Sequence, residues 1–334
     1  MSDHDHDDVQ LLDAPADRVM PQEPLAPEIN LASAKTDSEW LARLDELGDE
    51  LDPDAGGFTP LGQHHAALYS DGSDTLLVSF ESIATIRERQ PDHRPMGFTH
   101  ARARGWSSLS VVARQPRWFR DTEICDYFDA QIDAGFFDGF RRVLFYGEGM
   151  CGYAACAYSL AAAGATVLAI APQATLDPAI AGWDRRFMDA RRLDFRSRFG
   201  FAPAMLDGGR NAFIVHDPAR KLDLMHATLF RRPFVTLLRS PDLGRDTAVA
   251  LARLGALAPM IDAAAEGKLT PLLFHRLMRA RREDAPYLER LTRRCARLSR
   301  HPALTLAAAH HALARSDSRK LRKCQSKAEK QLSR

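Results

Sequence analysis

The stretch from Val143 to Ala155, VLFYGEGMCGYAA, decides how the rest of this chain is interpreted. Its first four residues are apolar and predict a buried strand, and the small residues that follow Gly152 predict a helix. Between them lies a turn with three glycines, Gly147, Gly149 and Gly152. Enzymes often place a nucleophilic serine at the apex of such a strand–turn–helix. The apex here is Gly149, so the turn lacks a reactive side chain.

Apolar segments on both sides of this turn alternate with helical patterns. Helices are predicted over residues 121–136 and 150–162, and an amphipathic helix is predicted over 38–51. Apolar strands that alternate with helices are typical of a parallel sheet covered on both faces. The sequence therefore predicts a doubly wound, mostly parallel α/β sheet and not a barrel. The six predicted strands are residues 75–80, 107–113, 142–147, 165–171, 211–216 and 234–240.

The segment VLFYGEGMCGYAACAYSLA, residues 143–161, resembles a subgroup of the α/β-hydrolase family whose nucleophile elbow reads G-S-S-M-G-G-Y-A-A. The similarity continues in APQATLDP (171–178) and in HDP (216–218), each of which follows a predicted strand. The resemblance covers residues 74–260, over half of the chain. It implies a sheet of the α/β-hydrolase type, followed by a helical C-terminal extension.

The resemblance also locates the catalytic positions of the family. Gly149 occupies the nucleophile position, and Asp217 occupies the position of the triad acid. The family's histidine follows the last strand, but residues 240–250 contain no histidine and instead hold Gly244, Arg245 and Asp246. Losing the serine or the histidine of a triad costs roughly a millionfold in turnover. Ordinary serine hydrolysis is therefore not expected.

The elbow still offers groups that bind or move protons. Backbone N–H groups at the start of a helix attract anions, so the predicted ligand-binding residues are Gly147, Gly149, Met150, Cys151 and Gly152. Cys151 also starts a helix, where a thiolate is favoured. It lies two residues past the apex, however, and close packing of helix on sheet is the alternative explanation.

Two carboxylates and two histidines are the candidates for acid/base work. Glu148 lies beside the apex, and with Asp217 it is predicted to form a catalytic carboxylate pair. The alternative for Glu148 is an ion pair with a surface arginine. His226 and His275 are the residues that would restore a catalytic base if either folded back over the elbow.

Charge is distributed very unevenly along the chain, although the net charge is only +1. Residues 1–55 hold 16 Asp and Glu against 3 Lys and Arg, whereas residues 276–334 hold 17 Lys and Arg against 5 Asp and Glu. Such asymmetry indicates either interacting ends or solvated surfaces. The predicted organisation is a disordered acidic tail (1–36), an α/β-hydrolase-like domain (37–258) with an arginine-rich helical insert (173–210), and a basic helical extension (259–334) whose last residues fray.

A cytoplasmic location is expected. The acidic amino terminus lacks the basic and apolar parts of a secretory signal, and no apolar run reaches the length of a membrane span. The five cysteines suggest no disulfide framework.

Three functions stay open. A pseudo-enzyme that binds a protein partner or a small-molecule anion predicts a filled or shallow pocket above Gly149. An enzyme of altered chemistry predicts an open pocket in which Glu148 and Asp217 converge. A nucleotide-dependent oxidoreductase is the third, because the three elbow glycines match G-x-G-x-x-G between a strand and a helix. The next strand, however, leads to Gln173, where this motif expects a ribose-binding acid.

Two further classes have little support in the sequence. Phosphoadenosine phosphosulfate reductase, a name that some similar-looking bacterial chains carry, needs an S-G-G-x-D-S loop after a strand and a reactive cysteine near the C terminus. The nearest loop, SDGSDT (70–75), precedes a strand, and Cys324 lies outside that enzyme's cysteine motif. Nucleic-acid binding would use the basic C-terminal helices and the arginines of the insert, but the near-neutral net charge argues against it. The sequence identifies no cofactor, no metal-ligand set and no particular partner.

Overall fold

The computed structural model describes residues 29–51 and 57–333. The strands are β1 (Phe58–Leu61), β2 (His65–Ser70), β3 (Ser73–Ser82), β4 (Trp106–Ala113), β5 (Arg142–Glu148), β6 (Thr166–Ile170), β7 (Asn211–His216) and β8 (Val235–Arg239). The helices are α1 (Asp37–Leu51), α2 (Ile83–Arg89), α3 (Met96–Arg102), α4 (Thr122–Asp133), α5 (Met150–Tyr158), α6 (Pro178–Ala181), α7 (Ala202–Met205), α8 (Lys221–Leu229), α9 (Thr247–Arg253), α10 (Leu257–Ala265), α11 (Pro271–Leu277), α12 (Ala285–Leu298), α13 (Pro302–Leu313) and α14 (Arg319–Leu332).

The described residues form one eight-stranded sheet in the order β1-β2-β4-β3-β5-β6-β7-β8. β2 runs antiparallel to β1 and β4, and the remaining neighbours are parallel. β5, which leads into the glycine-rich turn, pairs with β3 on one side and β6 on the other. The predicted doubly wound, mostly parallel sheet is confirmed, and so are its six predicted strands. The carboxyl ends of the parallel strands therefore meet at one edge, beside the elbow.

The sequence did not predict β1 and β2. β1 has only four residues, and one of them is Pro60, which cannot donate a hydrogen bond to a ladder and is tolerated at a sheet edge. β2 reads HAALYS, and alanine is depleted in strands. Pairing with β4 makes this segment a strand, because the antiparallel register from His65 opposite Ala113 to Ser70 opposite Ser108 satisfies its backbone.

Successive residues of each central strand bury side chains on opposite faces of the sheet. Phe145 packs in a core with Phe128 of α4 and Tyr153 of α5. Its neighbour Leu144 packs on the other face in a core with Met260 of α10 and Phe274 of α11. Both faces of β5 are thus apolar, as expected for a parallel strand with helices on each side.

The helices that follow residue 257 share this second core with the sheet. Leu288 of α12 and Leu321 of α14 belong to the same buried cluster as Leu144. α14 is a regular helix of 14 residues, whereas its residues were predicted to fray. Burial of Leu321 and Ala328 holds it against the helices before it. The boundary between residues 258 and 259 stays a prediction.

The amino-terminal segment is folded from residue 29 onward. Leu31 is fully buried, and Arg87 of α2 donates hydrogen bonds to the carbonyls of Ala34 (3.1 Å) and Lys35 (2.9 Å). Residues 29–36 were predicted to belong to a disordered tail, and these contacts show that they do not. Residues 1–28, the rest of that predicted tail, lie outside the described residues.

The insert at residues 173–210 is mostly irregular, so its predicted helical character was wrong. It holds only the short helices α6 and α7 and one 3₁₀ turn, Asp189–Arg192. The reason is local: Asp184 accepts a hydrogen bond from the N–H of Arg186 (2.9 Å), and Asp194 accepts one from the N–H of Arg196 (2.8 Å). Aspartates that bond to a backbone N–H two residues later form turns that compete with a helix.

Membrane-spanning potential is limited to one bent pair of helices. Across residues 29–51 and 57–333, no single helix has the length and apolar composition of a span. α9 and α10 pass that test jointly, by length and composition only, but they meet at a 97° bend.

His65, the first residue of β2, is buried in a largely apolar setting. Its ring centroid lies 5.1 Å from that of Phe119, and its Nδ1 lies 3.5 Å from Asp121 Oδ2. Burial lowers the pKa of His65 to about 4, and the attraction of Asp121 opposes this shift only in part. The ring of His65 is therefore neutral in the native chain at pH 7. In mild acid the unfolded chain gains a proton at this ring before the native chain does, and this favours unfolding.

Replacing His65 is expected to reduce the acid sensitivity of the fold. The unfolded chain takes up a proton at His65 near pH 6.5 and the native chain near pH 4, so native stability falls as the pH drops through this window. We expect the free energy of unfolding to change by about 2 kcal/mol less between pH 7.5 and pH 5 in His65→Leu than in the parent chain. Urea denaturation at both pH values measures this.

His275→Leu is the matched control, because His275 is exposed on α11. It should keep the pH dependence of the parent chain. Equal pH dependence in His65→Leu and the parent chain would contradict the assignment.

Candidate functional site: the cleft above Gly149

The glycine-rich turn has the backbone shape of an elbow. β5 ends at Glu148, α5 begins at Met150, and Gly149 between them has φ +55° and ψ −121°. The Gly149 N–H donates to the carbonyl of Ile170 on β6 (2.8 Å), and its carbonyl accepts from Tyr153 (2.9 Å). A Cβ atom built on Gly149 would meet no other atom within 4 Å. The apex therefore points into open space, where a nucleophile would stand in an enzyme.

The other two glycines allow α5 to approach β5. A Cβ atom on Gly147 would lie 2.2 Å from the carbonyl oxygen of Cys151, and one on Gly152 would lie 3.1 Å from that of Gly147. Neither residue lines the open space above the apex. Of the predicted ligand-binding residues, Gly149, Met150 and Cys151 face that space, and Gly147 and Gly152 act through packing.

A cleft of about 1000 Å³ opens above the apex. Its walls come from the carboxyl ends of β3 and β5, from α2, from the insert and from the loop between β8 and α9. Part of the lining is apolar, and the rest carries charge. The apolar part includes Phe80, Ile86, Met96, Phe187, Val249 and Leu257, and the charged part includes Glu81, Arg89, Glu148, Arg186, Arg245 and Asp246.

Glu148 faces this cleft and forms an ion pair with Arg89 of α2. This is the alternative that the sequence offered for Glu148. Burial raises the pKa of the Glu148 carboxyl, Arg89 opposes this shift, and the nearby charge of Asp246 adds to it. Glu148 is thus a carboxyl group beside the apex whose proton is held more firmly than usual.

Asp217 lies elsewhere, and the structure does not bring it together with Glu148. It is buried at the end of β7, where Oδ1 accepts from the N–H of Ala219 (2.9 Å) and Oδ2 from that of Gly244 (3.3 Å). It borders a second cavity, which the elbow does not line. Asp217 thereby ties together the loops that follow β7 and β8.

Glu81 is a cleft carboxylate that the sequence analysis missed. Its oxygens accept from the N–H groups of Met96 (2.8 Å) and Gly97 (2.9 Å) at the start of α3, and from the hydroxyl of Ser79 (3.0 Å). Burial nevertheless raises its pKa. A signal was available, since Glu81 is the second-last residue of β3, the strand that pairs with the elbow strand. Its hydrogen bonds give it a structural role at the start of α3.

None of the described residues that line the cleft is a histidine. His226 is fully buried, with Nε2 2.9 Å from Asp184 Oδ2 and Nδ1 accepting from the N–H of Ala174 (3.2 Å). His275 is exposed on α11. Neither folds over the elbow. In the loop that holds the family's histidine, Arg245, Asp246 and Thr247 line the cleft instead.

Cys151 and Ser82 line the cleft with a thiol and a hydroxyl. Burial raises the pKa of the Cys151 thiol well above its ordinary value, so the thiol stays protonated and its reactivity is low. The hydroxyl of Ser82 caps α2 by accepting from the N–H of Thr85 (3.2 Å) and donates to the hydroxyl of that residue (2.8 Å). No described histidine lines the cleft beside either group.

Gln173 adds an unpartnered polar atom to the cleft. The residue is 3% exposed, and its Nε2 donates to the carbonyl of Ala171 (3.3 Å). Its Oε1 is buried and accepts no hydrogen bond from the described residues. Buried polar atoms are nearly always hydrogen-bonded, so this oxygen marks a place where a ligand's donor group fits.

The strand order, the antiparallel start of the sheet and the elbow after β5 define an α/β-hydrolase fold. The chain adopts this fold with Gly149 at the apex of the elbow.

Comparison with known proteins gives weak similarities only. No protein-family model and no curated protein sequence matches the chain. Among solved structures it is similar to the Glycosylation Associate Protein complex of Streptococcus agalactiae, with 10% identity and a TM-score of 0.41 over 64% of this chain and 47%, or about half, of that chain. It is similar to the carboxylesterase EstE1 from a metagenomic library (14% identity, TM-score 0.37, 73% of this chain and 97% of that one). It is also similar to carboxyl esterase 2 of Tuber melanosporum (15% identity, TM-score 0.39, 69% of this chain and 88% of that one). Because these similarities are weak, the geometry of the cleft is the basis for the function proposed below.

Gly147→Ala is expected to disrupt the contact between β5 and α5. The new methyl group would overlap the carbonyl of Cys151, a backbone atom that cannot move without shifting the helix. We expect the free energy of unfolding to fall by about 3 kcal/mol, measured by urea denaturation. The control is Gly139→Ala, whose Cβ atom meets nothing within 4 Å and whose effect should stay below about 0.5 kcal/mol. Equal losses in both variants would contradict the packing role.

Restoring a serine at the apex is not expected to restore hydrolysis. Gly149→Ser supplies a hydroxyl, but no histidine lines the cleft to accept its proton. Because removing the base of a triad costs about as much as removing the whole triad, turnover of p-nitrophenyl acetate should rise less than about tenfold. A burst of p-nitrophenol followed by steady turnover would show that another cleft residue serves as the base. The melting temperature of the variant checks that it is folded.

Proposed function

We propose that this chain is a non-hydrolytic pseudo-enzyme of the α/β-hydrolase fold that binds a small anionic molecule with an apolar part. The observation that carries the proposal is the open cleft of about 1000 Å³ above an elbow whose apex is glycine. A cleft of this size is within the range of small-molecule sites, which are mostly apolar with a few placed polar groups. The sequence led us to expect a filled or shallow pocket for any pseudo-enzyme, whether its partner was a protein or a small anion. The open cleft corrects that expectation and favours a small molecule as the ligand.

The anionic end of the ligand is placed at the start of α5. The N–H groups of Met150 and Cys151 have no acceptor within the helix, because the first turn of a helix leaves its donors free. The partial positive charge of the helix start favours an anion there. Arg245 supports this placement, since it lines the cleft, is exposed and has no ion-pair partner among the described residues.

The other cleft arginines are already paired. Arg89 pairs with Glu148, Arg186 with Asp184 and Asp223, Arg220 with Asp223, and Arg253 with Asp284. The ligand is therefore expected to carry one anionic group, held by the elbow and Arg245, and not several.

The remaining contacts define the rest of the ligand. Ile86, Met96 and Leu257 offer an apolar wall for a hydrocarbon portion. Gln173 Oε1 accepts a hydrogen bond from a hydroxyl, an amide or an ammonium group of the ligand.

An enzyme of altered chemistry is the second candidate, and the raised pKa of Glu148 favours it. A carboxyl group with a raised pKa beside the apex suits general acid/base work. The pair predicted with Asp217 lacks support, because Asp217 borders the second cavity. Asp246 is the second carboxylate of this alternative, because its charge contributes to the raised pKa of Glu148. The oxidoreductase alternative predicted a groove at the start of α5, and the cleft lies there. It gains no further support, because Gln173 stands where the motif expects a ribose-binding acid.

Binding is tested by thermal shift and calorimetry with small anions that carry an apolar group: phenylacetate, hexanoate and phenyl phosphate. A ligand that binds the native state raises the melting temperature by mass action. We expect at least one of these probes to do so, and Gly149→Val to abolish the effect by filling the space above the apex.

Gly164→Val is the matched control. Gly164 also has a positive φ (+73°), and its Cβ atom would also meet open space, but it lies outside the cleft. This variant should have a lower melting temperature and still bind the probe. No shift with any probe, or equal loss of binding in both variants, would overturn the proposal. Consumption of the probe by the parent chain but not by Glu148→Gln would favour the altered enzyme.

A further inference from the structure

A second cavity of about 590 Å³, here called the basic groove, lies between α12 and α14 and under the loops that follow β7 and β8. Asp217 and Asp242 border it from those loops. Its helical walls carry six cationic side chains. They are Arg290, Arg293 and Arg297 of α12, and Lys320, Lys323 and Lys327 of α14.

The spacing of these residues places them in two facing rows. In each helix the three cations stand at positions i, i+3 and i+7, which lie on one helix face. Each row is about 10 Å long, because a helix rises about 1.5 Å per residue. Lys327 Nζ donates to the carbonyl of Ala296 (2.9 Å), which links the two helices across the groove.

Little of this positive charge is neutralised by the described residues. Arg297 and Lys323 have no ion-pair or hydrogen-bond partner among them. The carboxylate of Glu289 lies 3.7 Å from Arg293 and 4.0 Å from Lys320, and both distances are long for ion pairs. Three cations of the groove, Arg297, Lys323 and Lys327, thus have no described carboxylate beside them.

At the inner end of the groove, the guanidinium group of Arg290 does not use all of its hydrogen-bond donors on the described residues. Arg290 Nε donates to the carbonyl of Asp242 (2.7 Å), but its Nη2 is buried and donates to no described residue. The two aspartates do not offset this charge fully. Asp217 accepts from two backbone N–H groups, and Asp242 Oδ2 lies 2.9 Å from Arg294, which lies outside the groove lining.

The walls of the groove restrict the kind of anion that it fits. No aromatic side chain of the described residues lines it, so these residues offer no surface on which nucleic-acid bases would stack. Its walls are helices, whose backbone groups bond internally, so a peptide strand would find no ladder of donors and acceptors. What the groove offers is a dense set of cationic donors, and phosphate groups match these best because each has up to two charges and three acceptor oxygens.

We propose that the basic groove binds a molecule that carries two or more phosphate groups close together, either free in solution or as a lipid headgroup. The site is separate from the cleft above Gly149 and does not depend on the function proposed there. The ligand's phosphates lie between the rows of α12 and α14, with Arg297 and Lys323 as the residues that gain partners on binding.

The test uses the full chain and sodium tripolyphosphate as the probe, with calorimetry at low and at physiological salt. The parent chain should bind the probe and bind it more weakly as salt screens the charges. The double variant Arg297→Gln/Lys323→Gln should weaken binding by at least about tenfold, because two charge-assisted contacts are lost. Since neither side chain has a partner in the structure, the melting temperature should stay unchanged.

The matched control is Arg300→Gln/Lys330→Gln, which removes the same charge from exposed positions outside the groove. It should bind tripolyphosphate within about threefold of the parent chain, because it loses only long-range attraction. Gly149→Val should bind the probe unchanged, which separates this site from the cleft. No binding by the parent chain, or equal weakening in both double variants, would overturn the proposal.

A second experiment, vesicle sedimentation, distinguishes a lipid headgroup from a soluble phosphate compound. Phosphatidylcholine vesicles with and without phosphatidylinositol bisphosphate are sedimented with the parent chain. Co-sedimentation that requires the phosphoinositide and is lost in Arg297→Gln/Lys323→Gln supports a headgroup ligand. Tripolyphosphate binding without co-sedimentation supports a soluble ligand.

Discussion

The close approach of two backbone segments at the elbow is the constraint on which this structure depends. Gly147 lets the carbonyl of Cys151 come within reach of β5, closer than any side chain would allow. This contact fixes the direction in which α5 leaves the sheet. It also forces the chain to reverse within a single residue, Gly149, which takes up a positive φ. The first residues of α5, Met150 and Cys151, thereby line the cleft beside Gly149.

The two cavities are neighbours and share one short segment of chain. Residues 241–246, between β8 and α9, reach the basic groove through Asp242 and the cleft through Arg245 and Asp246. Asp217 anchors this segment by accepting from the N–H of Gly244. The residue that corresponds to the triad acid of the family thus contributes to loop geometry. Its carboxylate is occupied by backbone donors, so it is not free to orient a histidine, and that loop contains none.

Much of the fold could be predicted from the sequence, because its central strands are apolar on both faces and alternate with helices, as a mostly parallel sheet requires. The two antiparallel strands could not, because Pro60 and the alanines of β2 have weak strand propensity and pairing with β4 supplies the missing stability. The insert misled the sequence analysis through its arginines, which suggested a helix face. Asp184 and Asp194 turn the backbone there, and Arg191 bonds to the carbonyls of the same insert.

The candidate site was predictable in part, for a physical reason. Residues next to the apex in sequence, such as Glu148 and Met150, must lie near it in space. Residues that reach the cleft from other elements, such as Glu81, Gln173 and Arg89, depend on how the strands pair and how α2 packs. Asp217 shows the limit of this reasoning. It follows the correct strand, but local hydrogen bonds turn its side chain toward the loops that hold it.

Glycine at the apex lowers the backbone strain of this turn. A residue with a side chain at φ +55° and ψ −121° carries strain of about 1–3 kcal/mol, which a hydrolase tolerates because the strain presents its nucleophile. Gly149 adopts the same backbone shape at little cost. The turn therefore keeps the helix start and the open space above the apex without this strain. The N–H groups at the start of α5 remain beside the open space, and these are the groups that the proposed anion would use.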